Sequence, residues 1–226
     1  MKVAVYTSIF GGYDALIEDH IQLPGVDFIC FTDSKIESTL WEIRKCTPIY
    51  NDPNRNAKKY KVLPHRYLGE YDYSIWIDGN IKIVGNILEL AGKHIYQVYD
   101  HNQTALDPRD CIYKEYQAIM HLGQSNGGNY KDNPQVMHQQ VQRYADEGYP
   151  ANNGLATNPI ILRAHNDERV IDVMEDWWTE IKYGSRRDQL SFDYVAWKHK
   201  FKYSFLKGDS RRNRYFSQTG KHTGKK

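Results

Sequence analysis

An α/β fold with a mostly parallel central sheet flanked by helices is what this sequence predicts, and three observations carry it. The run 3–10 is apolar, rich in β-branched and aromatic residues, and stops at Gly11-Gly12, as a buried strand entering a tight loop does. The runs 26–32 and 73–77 repeat the pattern, each followed at once by a carboxylate, Asp33 and Asp78. Segments of helical spacing lie between and after these runs, and strands that alternate with helices pair in parallel.

The elements follow in chain order. Over 54–67 the chain turns basic, with Ala57, Tyr60, Leu63 and Tyr67 sharing one helical face and Arg55, Lys58, Lys59 and Lys61 carrying charge. A helix is predicted over 112–122, then a polar loop rich in glycine and asparagine over 123–134, then a second helix over 135–147 closed by Gly148. Ile160-Ile161-Leu162 reads as a strand within 155–163. The segment 167–183 reads as a helix whose stripe of Val170, Val173, Met174, Trp177 and Ile181 faces the core. A last helix is predicted over 188–200, with Asp188 near its start. No internal repeat is present.

At 226 residues the chain suits one domain better than two. A formal net charge of +2 lacks the basic excess of a nucleic-acid binder, so nucleic acid is excluded as a partner. The basic concentration in Arg211, Arg212, Arg214, Lys221, Lys225 and Lys226 could meet phosphates, an anionic membrane surface or water alone. Cys30, Cys46 and Cys111 have neither metal-site spacing nor an even count, which fits a reducing compartment and a cytoplasmic location. No apolar run is long enough to span a bilayer, so any membrane contact is expected to be peripheral, through the basic tail.

Open α/β sheets bind ligands beyond the carboxyl ends of their strands. Three groups fall there: Thr7, Phe10, Gly11 and Tyr13 in a glycine-containing loop; Asp33; and Asp78-Gly79-Asn80. The loop is either an ordinary turn or a cradle that brings backbone N–H groups to a nucleotide. Asp33 is either a turn residue or an acceptor for a base or ribose. Asp78-Gly79-Asn80 is either a common turn or, at the end of an apolar strand, a place for a divalent cation, Mg²⁺ or Mn²⁺, which takes one or two carboxylates plus diphosphate oxygens. Arg55, Lys58 and Lys61 could offset diphosphate charge or form a solvated face. In Arg187-Asp188-Gln189, the aspartate could cap a helix or, with Gln189, act on an acceptor hydroxyl.

Taken together, these segments resemble a glycosyltransferase family long labelled only as a domain of unknown function, found in plant Golgi proteins and bacterial surface-polysaccharide gene clusters. The resemblance rests on Tyr6-Thr7 with 10–13, 31–33, 55–58 with Lys61, Leu63 and 65–66, and 74–80. It continues through 109–113 with Glu115, 148–150, 154–155, Arg163, 165–166 and 187–192, with Trp-Ile-Asp-Gly and Arg-Asp-Gln-Leu-Ser-Phe the most specific elements. It implies a GT-A-like fold, a nucleotide-sugar donor, a glycan or lipid-linked glycan acceptor, and a reaction assisted by Mn²⁺ or Mg²⁺. Asp78 resembles the first acid of the Asp-x-Asp signature, the second acid is replaced by Asn80, and His222 is the candidate third metal ligand.

On that reading, 1–100 binds mainly the donor, 101–210 mainly the acceptor, and 211–226 is a basic tail. Thr7, Phe10, Gly11, Tyr13, Asp33, Arg55, Lys58, Lys61, Asp78, Gly79 and Asn80 are expected on the donor side. Glu115, Asn153, Arg163, His165 and Arg187 are expected on the acceptor side. Asp188 is the expected base of an inverting transfer, with Gln189 beside it. A nucleotide-sugar hydrolase or pyrophosphorylase, and a non-catalytic nucleotide- or glycan-binding module, are the alternatives.

Overall fold

The computed structural model describes residues 1–220 of the chain. Its strands are β1 (Val3–Ile9), β2 (Val26–Thr32), β3 (Glu42–Lys45), β4 (Tyr73–Ile77), β5 (Ile81–Ile83), β6 (Tyr96–Asp100), β7 (Ala156–Arg163), β8 (Ser204–Leu206) and β9 (Phe216–Gln218). Its α-helices are α1 (Pro53–Val62), α2 (Ile112–Ser125), α3 (Pro134–Asp146), α4 (Glu168–Tyr183) and α5 (Phe192–Lys198). A seven-stranded sheet of order β3-β2-β1-β4-β7-β6-β8 forms the centre, and β5 pairs with β9 in a small second sheet. This is the mostly parallel, helix-flanked sheet expected of a GT-A-like fold.

Strand direction decides which loops share an edge. β1 pairs in parallel with β2 and β4, and β2 with β3, so their carboxyl ends lie together. β7 runs antiparallel to both β4 and β6, a reversal the sequence reading did not anticipate. The start of β7 and the end of β6 therefore reach the same edge as Asp33 and Asp78.

Side-chain alternation sends one set of residues to each face. Ala4, Tyr6, Trp76 and Ile161 enter the cluster that all five α-helices cover. Val170, Val173, Met174, Trp177 and Ile181 of α4 pack there as expected. Val3, Val5, Ile75, Ile77 and Ile160 enter the opposite cluster, which Trp41, Ile81, Ile83 and Phe216 close with short strands and loops in place of helices. Wholly burying each large side chain contributes about 1.5–3 kcal/mol.

The ends of the predicted helices shift in two instructive places. α1 stops at Val62, short of Tyr67, because Pro64 cannot continue it and opens a 3₁₀ turn instead. The helix predicted over 188–200 begins only at Phe192, after a 3₁₀ turn over Asp188–Leu190. The segment 211–220 is not a loose tail: β9 pairs with β5, and Arg214 reaches Glu89 at 3.1 Å. Lys221, His222, Lys225 and Lys226 lie outside the described residues. No helix among the described residues is long and apolar enough to cross a membrane.

Two buried histidines make stability depend on pH. Burial pushes both His20 and His165 down to about 4. His165 bonds the Leu68 carbonyl through Nε2 at 2.8 Å. The unfolded chain takes up these protons near pH 6.5 and the fold only near 4, so each stabilising contribution is lost as pH falls through that window. Between pH 7 and 5 each histidine lowers stability by about 2 kcal/mol. Asp193, pushed up to about 6 by burial, titrates in the opposite sense. The readout is therefore the difference between wild type and His165→Gln in urea unfolding at both pH values. The variant should lose about 2 kcal/mol less on acidification, and an unchanged loss would contradict a neutral buried His165.

Candidate functional site

Lys58 and Lys61 stand three residues apart on α1, hence on one face of it. That face meets two carboxylates from distant parts of the chain. Lys61 Nζ lies 2.7 Å from Asp188 Oδ2 and 3.2 Å from Asp78 Oδ1, and Lys58 Nζ lies 2.7 Å from the same Asp188 oxygen. Trp76 Nε1 donates to Asp78 Oδ1 at 2.8 Å, and its ring lies 5.4 Å below the Lys61 ammonium. Two cations and two anions thus neutralise one another at the carboxyl end of β4.

Burial and charge pull these groups in opposite directions. For Asp78 and Asp188, burial alone would raise the carboxylate, but the ammonium groups outweigh it and hold both below the usual range, Asp188 far below. Lys61 is only 1% exposed, yet its two carboxylates overcome desolvation and push it up. For Lys58 desolvation prevails, aided by the neighbouring Lys61 charge, and it falls to about 8 despite Asp188. Lys58 is the member of the network that titrates near neutrality.

Buried polar groups hold the network in place. The Arg163 guanidinium, wholly buried, donates to the Lys61 carbonyl and the Tyr6 hydroxyl and touches Met174 Sδ at 2.9 Å. Tyr6 itself donates to the Lys61 carbonyl at 2.8 Å. On the other side, Trp177 Nε1 donates to the Asp188 carbonyl, while Asp132 accepts from Ser185 Oγ and the Arg186 amide. Gly79 has room for hydrogen only, since a Cβ there would come within 2.9 Å of Asp14 Oδ2. Asp14, in the loop after β1, therefore packs against the Asp78-Gly79-Asn80 turn.

The remaining expected residues divide by what they touch. Gly11 takes φ +62°, donates its amide to the Asp33 carboxylate at 3.0 Å, and could carry no Cβ against Pro53. Asp33 therefore shapes the loop after β1. Phe10 is buried and stacked on Tyr60, Tyr13 lies at the surface, and the buried Thr7 Oγ1 has no partner. Arg55 also serves the fold: its guanidinium bonds the carbonyls of Ile181, Lys182 and Gly184, because the last turn of α4 leaves carbonyls without helical partners.

Of the residues expected on the acceptor side, Arg163 and His165 are wholly buried and bonded within the core. Glu115 is buried as well, with its oxygens toward Arg109 at 2.8 Å and Arg187 at 3.7 Å, so guanidinium groups stand where a carboxylate was expected. Asn153 is exposed and lines a cavity of about 560 Å³ with Asp193, Trp197, Phe201 and Tyr203. Asp188 does not cap a helix by its side chain, which points to the lysines instead. Beside it Gln189 Nε2 is buried without a partner.

The TOD1/MUCI70, glycosyltransferase-like domain matches residues 29–220. The chain belongs to that family. A protein of Arabidopsis thaliana named "Probable hexosyltransferase MUCI70" is 27% identical over 176 residues, 73% of this chain and 29% of that protein. The chain thus spans less than a third of that relative's length.

For a TOD1/MUCI70 domain the question of a metal reduces to its donor set. Among the described residues no group of three His, Cys, Asp or Glu side chains gathers to hold an ion. Asp78 offers a carboxylate, and Asn80 directs its amide nitrogen to the Gly220 carbonyl at 2.9 Å, leaving the amide oxygen as its possible ligand. Such a set fits a Mg²⁺-type site completed by diphosphate oxygens and does not fit an all-protein cage. The candidate ligand His222 lies outside the described residues.

Several contributors escaped the sequence reading. Trp76 lay inside the Trp-Ile-Asp-Gly motif yet was not singled out, and Lys131 and Asn158 carry no local signal. Asn158, in β7, has both amide atoms buried and unpartnered. The two roles separate by mutation. Arg55→Ala should lower unfolding free energy by about 1.5–3 kcal/mol, because three carbonyls lose a charged donor. Lys61→Ala should lower stability by about 3–5 kcal/mol, because it leaves the half-buried Asp78 without its ammonium partner beside the buried Asp188. Urea titration checks both, and unchanged stability in Arg55→Ala would contradict its clamp on α4.

Proposed function

We propose that this domain transfers a hexosyl group from a nucleotide-sugar donor to a glycan acceptor, free or lipid-linked, with inversion at the anomeric carbon. The observation that carries the reading is the pair of ammonium groups gathered by buried carboxylates at a strand-end Asp. A nucleoside diphosphate bears several negative charges, and charge-assisted bonds from Lys58 and Lys61 would hold it against Asp78 and the Gly11 loop. A divalent cation, Mn²⁺ or Mg²⁺, would be held by Asp78, Asn80 and the diphosphate and would offset charge on the leaving group.

Asp188 in the free protein is a weak base, because two ammonium groups hold its carboxylate far below the ordinary range. Diphosphate binding draws those groups away. Burial then acts without opposition and raises the carboxylate toward useful basicity. Asp188 accepts the proton of the acceptor hydroxyl as its oxygen bonds to the anomeric carbon and the bond to the diphosphate oxygen breaks. The donor must be in place before the base exists, so water entering an empty site meets no active base.

Two outcomes test this. Asp188→Asn should cut turnover by about two to four powers of ten and bind UDP more tightly, since a competitor for the lysines is gone. NMR of the product should show the opposite anomeric configuration to the donor, and retention would exclude Asp188 as the base of a direct displacement. UDP affinity of the wild type should also fall by about tenfold between pH 7 and 9, as Lys58 loses its proton near 8. Lys58→Arg should remove that dependence, and a slope that survives in the variant would assign it elsewhere.

A further inference from the structure

Beyond the two lysines, a second group of cations borders Asp188. Arg187 immediately precedes it in the chain. Arg109 comes from the loop before α2, and Lys131 from the loop between α2 and α3. Glu115 organises them, with Arg109 Nε at 2.8 Å and Arg187 Nη2 at 3.7 Å. Arg186 Nη2 donates to the Lys131 carbonyl at 3.0 Å, which holds the Lys131 loop against residues 185–187, and the Arg187 charge lowers the Lys131 ammonium from its ordinary value. Arg109 also meets His101 Nε2 at 3.1 Å, and burial together with the Arg109 charge keeps that imidazole low and hence neutral at pH 7.

The charges do not balance. Three cations face one buried carboxylate, Glu115, and Asp107, which also pairs with Arg109, is itself largely exposed. Asp132, next to Lys131, is already committed to Ser185 and Arg186. An ordinary solvated basic face would leave its guanidinium groups in water, whereas the Arg109 side chain is only 15% exposed and Glu115 4%. Two donors are also left over: Arg187 Nε and Gln189 Nε2 are buried and have no partner. Buried donors are nearly always satisfied in folded proteins, and an unpaired one is costly because nothing replaces its lost hydration. Surplus positive charge and surplus donors coincide at residues 187–189, next to the proposed base.

Resting on the glycosyl-transfer reading, we infer that Arg109, Lys131 and Arg187 form a subsite for an anionic substituent of the acceptor glycan. The substituent is the carboxylate of a hexuronate or the phosphate of a sugar phosphate. Arg187 binds it in fork geometry, which suits a planar or tetrahedral oxyanion. Lys131 adds a point charge from the surface, and Arg109, fixed by Glu115, sets the position of Arg187. Such a subsite selects acidic over neutral acceptors and aligns the acceptor hydroxyl with Asp188.

The test is calorimetric titration of the intact chain, saturated with UDP, using three probes. They are a disaccharide ending in a hexuronate, its carboxyl-reduced neutral counterpart, and the matching sugar phosphate. The wild type should bind at least one of the acidic probes at least tenfold more tightly than the neutral one, with a preference that shrinks as salt rises. Whichever acidic probe prevails identifies the group. Lys131→Ala, at an exposed position, and Arg187→Gln should each reduce that preference several-fold while UDP affinity stays within twofold. Should Arg187→Gln fail to fold, Lys131→Ala decides alone.

Equal binding of the acidic and neutral probes, including no binding of either, would overturn the inference. So would a large loss of UDP affinity in Lys131→Ala, which would place the cluster on the donor diphosphate. Failure of UDP, GDP and ADP alike to bind the wild type counts against the glycosyl-transfer reading itself. The acid-to-neutral comparison, then made without nucleotide, still decides the anion subsite.

Discussion

Lys61 is pinned between Asp78 and Asp188, and most of what is unusual in this structure serves that contact. An ammonium group removed from water is tolerable only where opposite charge and hydrogen bonds replace its hydration. The two carboxylates supply the charge, and Lys58 brings the local total back to neutrality. Arg163 and Tyr6 grip the Lys61 carbonyl from beneath, so the backbone that carries the ammonium cannot retreat toward solvent. An aromatic floor from Trp76 completes the enclosure.

The same contact ties the sheet to the helical layer. Asp78 leaves the end of β4, Lys61 sits in the last turn of α1, and Asp188 follows α4 by a turn that Trp177 and Asp132 fix. Arg55 adds a second clamp between α1 and α4 through the carbonyls at the end of α4. A ligand that draws the lysines toward itself therefore acts on three elements at once. On the proposed reading, that links donor binding directly to the state of the Asp188 carboxylate.

The fold was legible where the chain obeys one periodicity over a long enough run. β1, β2 and β4 announce themselves as buried apolar runs ending at glycine or aspartate, and α4 as a stripe at helical spacing. β3, β5, β8 and β9 span three or four residues, too few for a period to show. The antiparallel course of β7 was not visible, because an apolar run carries no mark of its direction. Asp78, Lys58, Lys61 and Asp188 were each identifiable as charges at plausible ligand positions, but their mutual pairing spans up to 130 residues of chain. Arg55, Arg163 and His165 each bond backbone carbonyls of the fold, a use that leaves no mark in the sequence. A polar side chain that satisfies buried carbonyls reads in sequence like one that meets a ligand, and only packing tells them apart. Arg187 Nε and Gln189 Nε2 differ in that they are buried with no partner in the fold.

The central claim is that Lys58 and Lys61 change partners, from carboxylate to diphosphate, when the donor binds. Nitrogen-15 NMR of the lysine ammonium groups, with and without UDP, tests it most directly. Both ammonium resonances should shift on saturation and show couplings to phosphorus across the new hydrogen bonds, while the Asp188 carboxyl signal moves toward that of a more basic group. UDP that saturates the protein and leaves the two ammonium signals and the Asp188 carboxyl unmoved would contradict the account.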